Sequence, residues 1–293
     1  MIKILFAVCL ALITASPAFA GIHVVATLPW IGSIVREIGK DKILVATLVK
    51  PGQDPHYVEA KPSMILAGRK ADIFMYNGLD LEIGYLPLIL ETSKNYKIMP
   101  GRPGNFDCST FVSAIEKQAH AERSMGDVHP LGNPHYHYSA ENIIRVAEGM
   151  SHALAALDQP NADFYKSNFK AFEARFNEKQ RQWKTLRLKG RKYIAYHKLF
   201  GYLSRDYGFQ VINYMEPKPG IPPSAAHIEK LVDEIRNNKP SGILVTSSHG
   251  LKVAQSLGEK TGVKVIVLPQ DVGAMPGTDD WFSFMDNVLA ALR

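Results

Sequence analysis

The segment Arg191-Lys-Tyr-Ile-Ala-Tyr-His197-Lys-Leu-Phe-Gly-Tyr-Leu203 decides how this chain is read. Lys192 to Tyr196 is short, aromatic and β-branched, and basic residues bound it, which is the pattern of a strand. From Leu199 onward apolar and polar residues fall at helical spacing. His197 therefore stands where a strand gives way to a helix. In an open parallel α/β sheet that junction lies on the carboxyl edge, where ligands bind. A single histidine there caps or packs a turn as readily as it binds anything. Three further residues, His56, His135 and Asp271, fall on loops of the same kind.

Working outward, the same alternation extends in both directions. Toward the C-terminus, strands are expected near 192–196, 209–214, 242–247 and 263–268, with helices near 199–207, 224–237, 249–261 and 279–292. Toward the N-terminus, strands are expected at Ile22–Thr27, Ile43–Val49, Asp72–Tyr76 and Tyr96–Met99. Helices are expected at Ile31–Ile38, from Lys61-Pro62, and at Leu81–Glu91. Proline suits the first helical turn, which supports the start at Pro62. Ser139 is a fitting N-cap for a helix reaching Leu157. Ala162 to about Leu188 has no glycine or proline and reads as one long helix of ~40 Å.

The fold class that follows is α/β: two similar lobes, each a mostly parallel sheet flanked by helices, joined by one long rigid helix with a cleft between them. The expected division is a leader at 1–20, an N-terminal lobe at 21–158, the connecting helix at 159–189 and a C-terminal lobe at 190–293. The 293 residues are enough for two cores.

Met1-Ile-Lys3, an apolar run from Ile4 to Ala15, and Ala18-Phe19-Ala20 have the form of a cleaved secretory signal peptide. The apolar run is shorter than the ~20 residues that span a bilayer. A periplasmic, secreted protein with no membrane insertion after cleavage is expected. Cys9 lies inside the apolar run, not after a lipobox, so lipid attachment is not expected there. Cys108 is then the only cysteine of the mature chain, which rules out an internal disulfide and a thiolate metal site. Removing Lys3 from the 34 Lys and Arg leaves a small excess over the 28 Asp and Glu. Those charges are scattered with no basic stripe, which argues against nucleic acid as a partner.

His56 follows the second strand, His135 lies in Gly132-Asn-Pro-His135-Tyr-His137-Tyr, His197 ends the first strand of the second half, and Asp271 lies in Pro269-Gln-Asp271-Val-Gly273. Three imidazoles and a carboxylate are enough to close a tetrahedral zinc shell with bonds of ~2.0–2.2 Å. Four ligands spread along the chain, with no tight H-E-x-x-H pair, form a weak motif on spacing alone.

Four segments together resemble the metal-binding class of ABC-transporter solute-binding proteins, the zinc and manganese carriers related to ZnuA. They are Asp54-Pro-His56-Tyr-Val-Glu59 with Pro62-Ser63, Asn133-Pro-His135, Tyr196-His197-Lys-Leu-Phe-Gly-Tyr202, and Leu268-Pro-Gln-Asp271. The resemblance runs over essentially the whole mature chain. It implies a metal in the cleft, ligand positions at His56, His135, His197 and Asp271, and delivery to a membrane permease by a protein expected to be a monomer. Manganese-type relatives usually carry a carboxylate where this chain has His197, so the resemblance leans toward Zn2+ over Mn2+, consistent with imidazole suiting zinc.

The chain also departs from these relatives. The long His- and acid-rich loop of zinc-type relatives is reduced here to His120, His129 and nearby acids. His137 stands where an aromatic is common, and Ser247-Ser248-His249 where Glu-Pro-Gln is common. His137, His249 and Glu59 are accessory candidates that could orient a ligand or touch the metal. His23, His152 and His227 read as surface or packing residues. A secreted zinc hydrolase is the competing class, with Glu59 or Glu216 as general base, but neither sits in a catalytic motif and four protein ligands leave no open position for water. Nothing in the residues supports a dedicated adhesive surface. No enzyme activity is expected.

Overall fold

Short apolar runs, buried on both faces, assemble as parallel strands. In the computed structural model, which describes residues 21–118 and 129–293, they form two four-stranded parallel sheets. The expected leader, with Cys9, and His120 lie outside the described residues.

The first sheet has the order β2-β1-β3-β4, from β1 (Ile22–Ala26), β2 (Ile43–Thr47), β3 (Ile73–Tyr76) and β4 (Asn105–Asp107). Val24 sits in register between Val45 and Ile73. The second repeats the plan as β6-β5-β7-β8, from β5 (Lys192–Ala195), β6 (Gln210–Tyr214), β7 (Gly242–Thr246) and β8 (Val265–Leu268). In each sheet the first strand of its half is central, so the loops leaving β1 and β5 open at mid-sheet on the carboxyl edge.

The flanking helices are α1 (Pro29–Gly39), α2 (Pro62–Lys70), α3 (Leu86–Ser93), α4 (Ala140–Leu157), α5 (Ala162–Trp183), α6 (Gly201–Tyr207), α7 (Ala225–Asn238), α8 (Leu251–Thr261) and α9 (Trp281–Ala291). Ser139 caps α4 by accepting the backbone N–H of Asn142. No helix of the described residues is long and apolar enough to cross a membrane.

Helix α5 buries Tyr165, Phe172, Phe176 and Trp183 along one face. Phe172 packs on Phe282 with ring centroids 4.8 Å apart, and Trp183 meets Trp281 edge to face at 5.8 Å. On the same helix, Arg175 donates to Glu37 of α1 at 2.9 Å and to Asp280, the N-cap of α9, at 2.8 Å. Asn168 donates to the Ile38 carbonyl at 2.8 Å. The helix is thus fastened to α1 behind the first sheet and to α9 behind the second. The apolar core runs without a break from the first sheet through α5 and α9 to one face of the second, while Ile194, Tyr196, Met215 and Leu231 belong to a separate core under α7.

Three elements differ from the sequence expectation. Tyr96–Ile98 is one 3-10 turn, not a strand, because the Asn95 side chain accepts the Lys97 N–H and folds the chain back. The edge strand is instead β4, next to Gly104, where a Cβ would lie 2.4 Å from the Asp72 carbonyl oxygen. Helix α3 begins at Leu86 and not at Leu81, since the buried Glu82 carboxylate accepts the N–H groups of Asn77 and Gly78 and holds this stretch as a turn. Helix α5 ends at Trp183, five residues early, and spans ~33 Å.

Candidate metal centre

His56 sits in the 3-10 turn Pro55–Tyr57. Its N-cap, Asp54, accepts the His56 backbone N–H at 3.0 Å and also lies 2.7 Å from the ring Nδ1. One carboxylate therefore sets both the backbone and the ring. His135 is held by its own turn, with the Asn133 side chain accepting its N–H at 2.9 Å. The amide of Asn133 also donates to the Lys198 carbonyl at 2.9 Å, joining this loop of the first half to the His197 loop of the second. His197 lies two residues past β5, and its Nδ1 is 2.6 Å from the buried Glu216 carboxylate. Glu216 follows β6, the neighbouring strand, and also accepts the Gly220 N–H.

These three loops bring His56, His135 and His197 to one place. A ligating nitrogen from each lies within 4.8 Å of the other two. Ring centroids are 5.2 Å apart for His56–His135 and 5.4 Å for both pairs with His197. The Nδ1 atoms of His56 and His197 are engaged by carboxylates, which turns each Nε2 inward, that of His56 also meeting His129. This is the arrangement in which an outer carboxylate orients a metal-binding imidazole and raises its basicity. His135 Nε2 is buried and has no hydrogen-bond partner among the described residues. That orphaned nitrogen would be costly in an ordinary core. It fits a site built for a cation. Burial, reinforced by the neighbouring imidazoles, pushes His135 well below the usual histidine range. Burial also lowers His197, against the opposing pull of Glu216. Rings that stay neutral at physiological pH keep a lone pair available for a metal.

Asp271 is buried but stands outside that 4.8 Å group. It lines a small hollow behind the triangle with His135, His137 and Gln270. Its Oδ1 accepts the Val272 N–H at 2.6 Å, and burial pushes its carboxyl up to about 8. His137 points to the same hollow. Its Nε2 is 3.0 Å from the Gln270 carbonyl, so it anchors the strand-end loop that carries Asp271, and burial lowers it to about 4. Glu59 is exposed ahead of α2 and is absent from the group. His249 Nε2 lies 2.7 Å from the second oxygen of Asp54, an ion-pair distance without the alignment of a hydrogen bond. Burial alone would raise Asp54, but the contacts from His249 and His56 outweigh it and hold the carboxylate well below its usual range.

Sequence reasoning left three participants without the roles they have here, naming Glu216 only as a general base for a hydrolase, and gave a fourth less than its place. Asp54 was visible as a turn-capping acid two residues before a histidine. Glu216 lies at a strand's carboxyl end, but its pairing with His197 crosses 19 positions. Asn133 carried no signal beyond its place before Pro134. His129 was read only as part of the reduced His- and acid-rich loop, yet its Nε2 lies 3.1 Å from His56 Nε2. A cavity of about 350 Å³ opens beside the triangle, lined by His129, Asn133, His135, His197 and Glu216 among others.

A family model for the zinc-uptake complex component A, periplasmic (ZnuA), matches residues 24–293. The manganese ABC transporter substrate-binding lipoprotein PsaA of Streptococcus mitis is 26% identical over 248 residues, covering 83% of this chain and 78% of its own. The iron ABC transporter substrate-binding lipoprotein MtsA of Streptococcus pyogenes serotype M1 is 25% identical over the same length and coverage. A crystal structure of ZnuA superposes with a TM-score of 0.75 at 25% identity, covering 92% of this chain and 97% of that one. In fold, the chain also matches a cadmium-bound periplasmic metal-binding protein from Candidatus Liberibacter asiaticus, with a TM-score of 0.74, 23% identity, and coverage of 92% of this chain and 97% of that one. With two matching sheets around a histidine cluster and a family model spanning nearly its whole length, the chain belongs to the ZnuA family, the substrate-binding proteins of metal ABC transporters, and is a binding protein and not an enzyme.

Proposed function

We propose that this protein captures zinc in the periplasm and delivers it, as a monomer, to the permease of an ABC transporter for import. His56, His135, His197 and Asp271 are the proposed ligands, two from each half of the chain. The observation that carries this reading is the triangle of three imidazoles within 4.8 Å, two of them oriented by carboxylates. Three nitrogens and one carboxylate suit zinc better than manganese, which favours oxygen. Asp271 supplies the charge: a buried carboxyl gives up its proton when a cation takes its place, as metal binding generally demands of its ligands. The cleaved leader read from residues 1–20 gives the periplasmic address. The α5 spine, fastened to both halves, favours small lobe movements over wide hinge closure.

A manganese or iron carrier of the same fold is the second reading, favoured by PsaA and MtsA, whose names carry those metals. Competitive titration of the stripped, untagged mature protein separates the two. One zinc held tightly per chain, and not displaced by manganese, is expected. Tight manganese with weak zinc would overturn the choice of metal and leave the family intact. If no tight metal bound, the ligand assignment would fail.

A further inference from the structure

His249 stands apart from the triangle yet touches one of its members, His197, and Asp54, the carboxylate that holds another. It lies in the turn after β7, on the second sheet. Its Nε2 is 2.7 Å from Asp54 Oδ2, while the Oδ1 of that carboxylate holds the backbone and ring of His56. Its ring stacks on His197, with centroids 5.9 Å apart and planes 10° apart, and on Tyr196 at 6.1 Å. The turn is shaped for this position. Gly250 has φ +67°, and a Cβ there would come within 2.0 Å of the Tyr196 ring, so the residue after His249 must be glycine for the turn to lie against that ring. Ser248 donates to the Gln270 side chain, which ties the same turn to the loop carrying Asp271.

From this geometry we infer that His249 is an interlobe latch that governs how fast metal leaves. It links the carboxylate behind His56, in the first half, to the ring of His197, in the second. It is a positioning residue and not a ligand, because its Nε2 is committed to Asp54 and no His249 atom joins the converging group. Parting the two halves must separate His249 from Asp54, and that loosens the carboxylate that orients His56. Opening of the cleft and weakening of a ligand are thereby one event. The inference rests on the reading of His56 and His197 as ligands.

The test uses His249→Ala and His249→Gln in the full mature protein, with zinc release followed by stopped flow into excess chelator. Loss of an outer partner of a metal-binding histidine typically weakens binding about 10- to 100-fold. Zinc should leave His249→Ala faster by a factor in that range, with His249→Gln, which keeps a donor, in between. The cobalt-substituted absorption spectrum should be unchanged. Adding His249→Ala to Asp54→Asn should accelerate release no further, since the two act through one contact. Wild-type release rates, full additivity with Asp54→Asn, or an altered cobalt spectrum would each overturn the latch. So would a metal-free protein that no longer melts cooperatively in both variants, which would assign His249 to folding. Failure of the underlying site looks different: wild-type protein that holds no zinc, or His197→Ala that holds it as tightly as wild type.

Discussion

The histidine triangle and the Asp271 carboxyl meet at His135, which belongs to the one and lines the hollow that holds the other, and the fold prepares them in opposite ways. Of the three imidazoles, His56 and His197 are turned by carboxylates and His135 is left with a buried nitrogen that nothing among the described residues satisfies. Asp271 is withdrawn into a hollow, bonded to the next residue's N–H and kept protonated to about 8 by burial. Neutral rings can be gathered with little electrostatic cost. A carboxylate cannot be held ionised in a dry pocket without a cation to offset it. On the proposed ligand set, the three imidazoles already stand together, and Asp271, outside the 4.8 Å group, is the member still to be engaged.

That contrast can be broken by measurement. His197→Ala should weaken zinc binding by orders of magnitude, about 10³-fold or more, with the fold intact by circular dichroism, because it removes a member of the preassembled set. Asp271→Ala should cost less than this in the same competitive titration. Equal losses would mean that Asp271 is as fully prepared as the rings, and the comparison would collapse. Glu216→Gln keeps the shape of the side chain but not the charge behind His197, and a loss of about 10- to 100-fold is expected. Unchanged affinity would show that packing alone orients the ring.

A second buried carboxyl sharpens the point on stability. Glu82 is held by Thr27 and by the N–H groups of Asn77 and Gly78, yet burial pushes it up to about 7. Its unfolded value is near ~4.3. Between those values the native chain binds more protons than the unfolded one, so stability falls as pH rises from the unfolded value through about 7. Compared with wild type in thermal melts of the metal-free protein from pH 5 to pH 8, Glu82→Gln should remove this contribution, leaving the like-signed one of Asp271 and the opposite ones of the buried His135 and His137 in place. A slope unchanged in Glu82→Gln would place the titration elsewhere. The smallest effect expected is for Ser139→Ala, which removes the N-cap of α4 and should lower stability by about 1 kcal/mol in chemical denaturation while leaving zinc affinity alone.

The alternation of short β-branched runs with helical stretches is a local pattern, so both halves, α4 with its Ser139 cap, and the strand-end positions of His56 and His197 could be read from the residues. Where local signals were thin, the reading erred. Tyr96–Ile98 has the aromatic, β-branched look of a strand, but one side-chain bond from Asn95 turns it, and β4 is only three residues long. The run from Leu81 looked helical because nothing nearby reveals that Glu82 will fold inward and hold a turn.

By itself, then, the order of residues determined the α/β architecture, its repeat in two halves and which histidines lie on loops, because backbone hydrogen bonding and the burial of periodic apolar faces act over a few residues. Only the tertiary structure decided the distances: the 4.8 Å triangle, the pairing of His197 with Glu216, the sharing of Asp54 between His56 and His249, and the retreat of Asp271. Those depend on how α5 and α9 seat one sheet against the other. Packing across a whole core sets that relation, and no short stretch of sequence contains it.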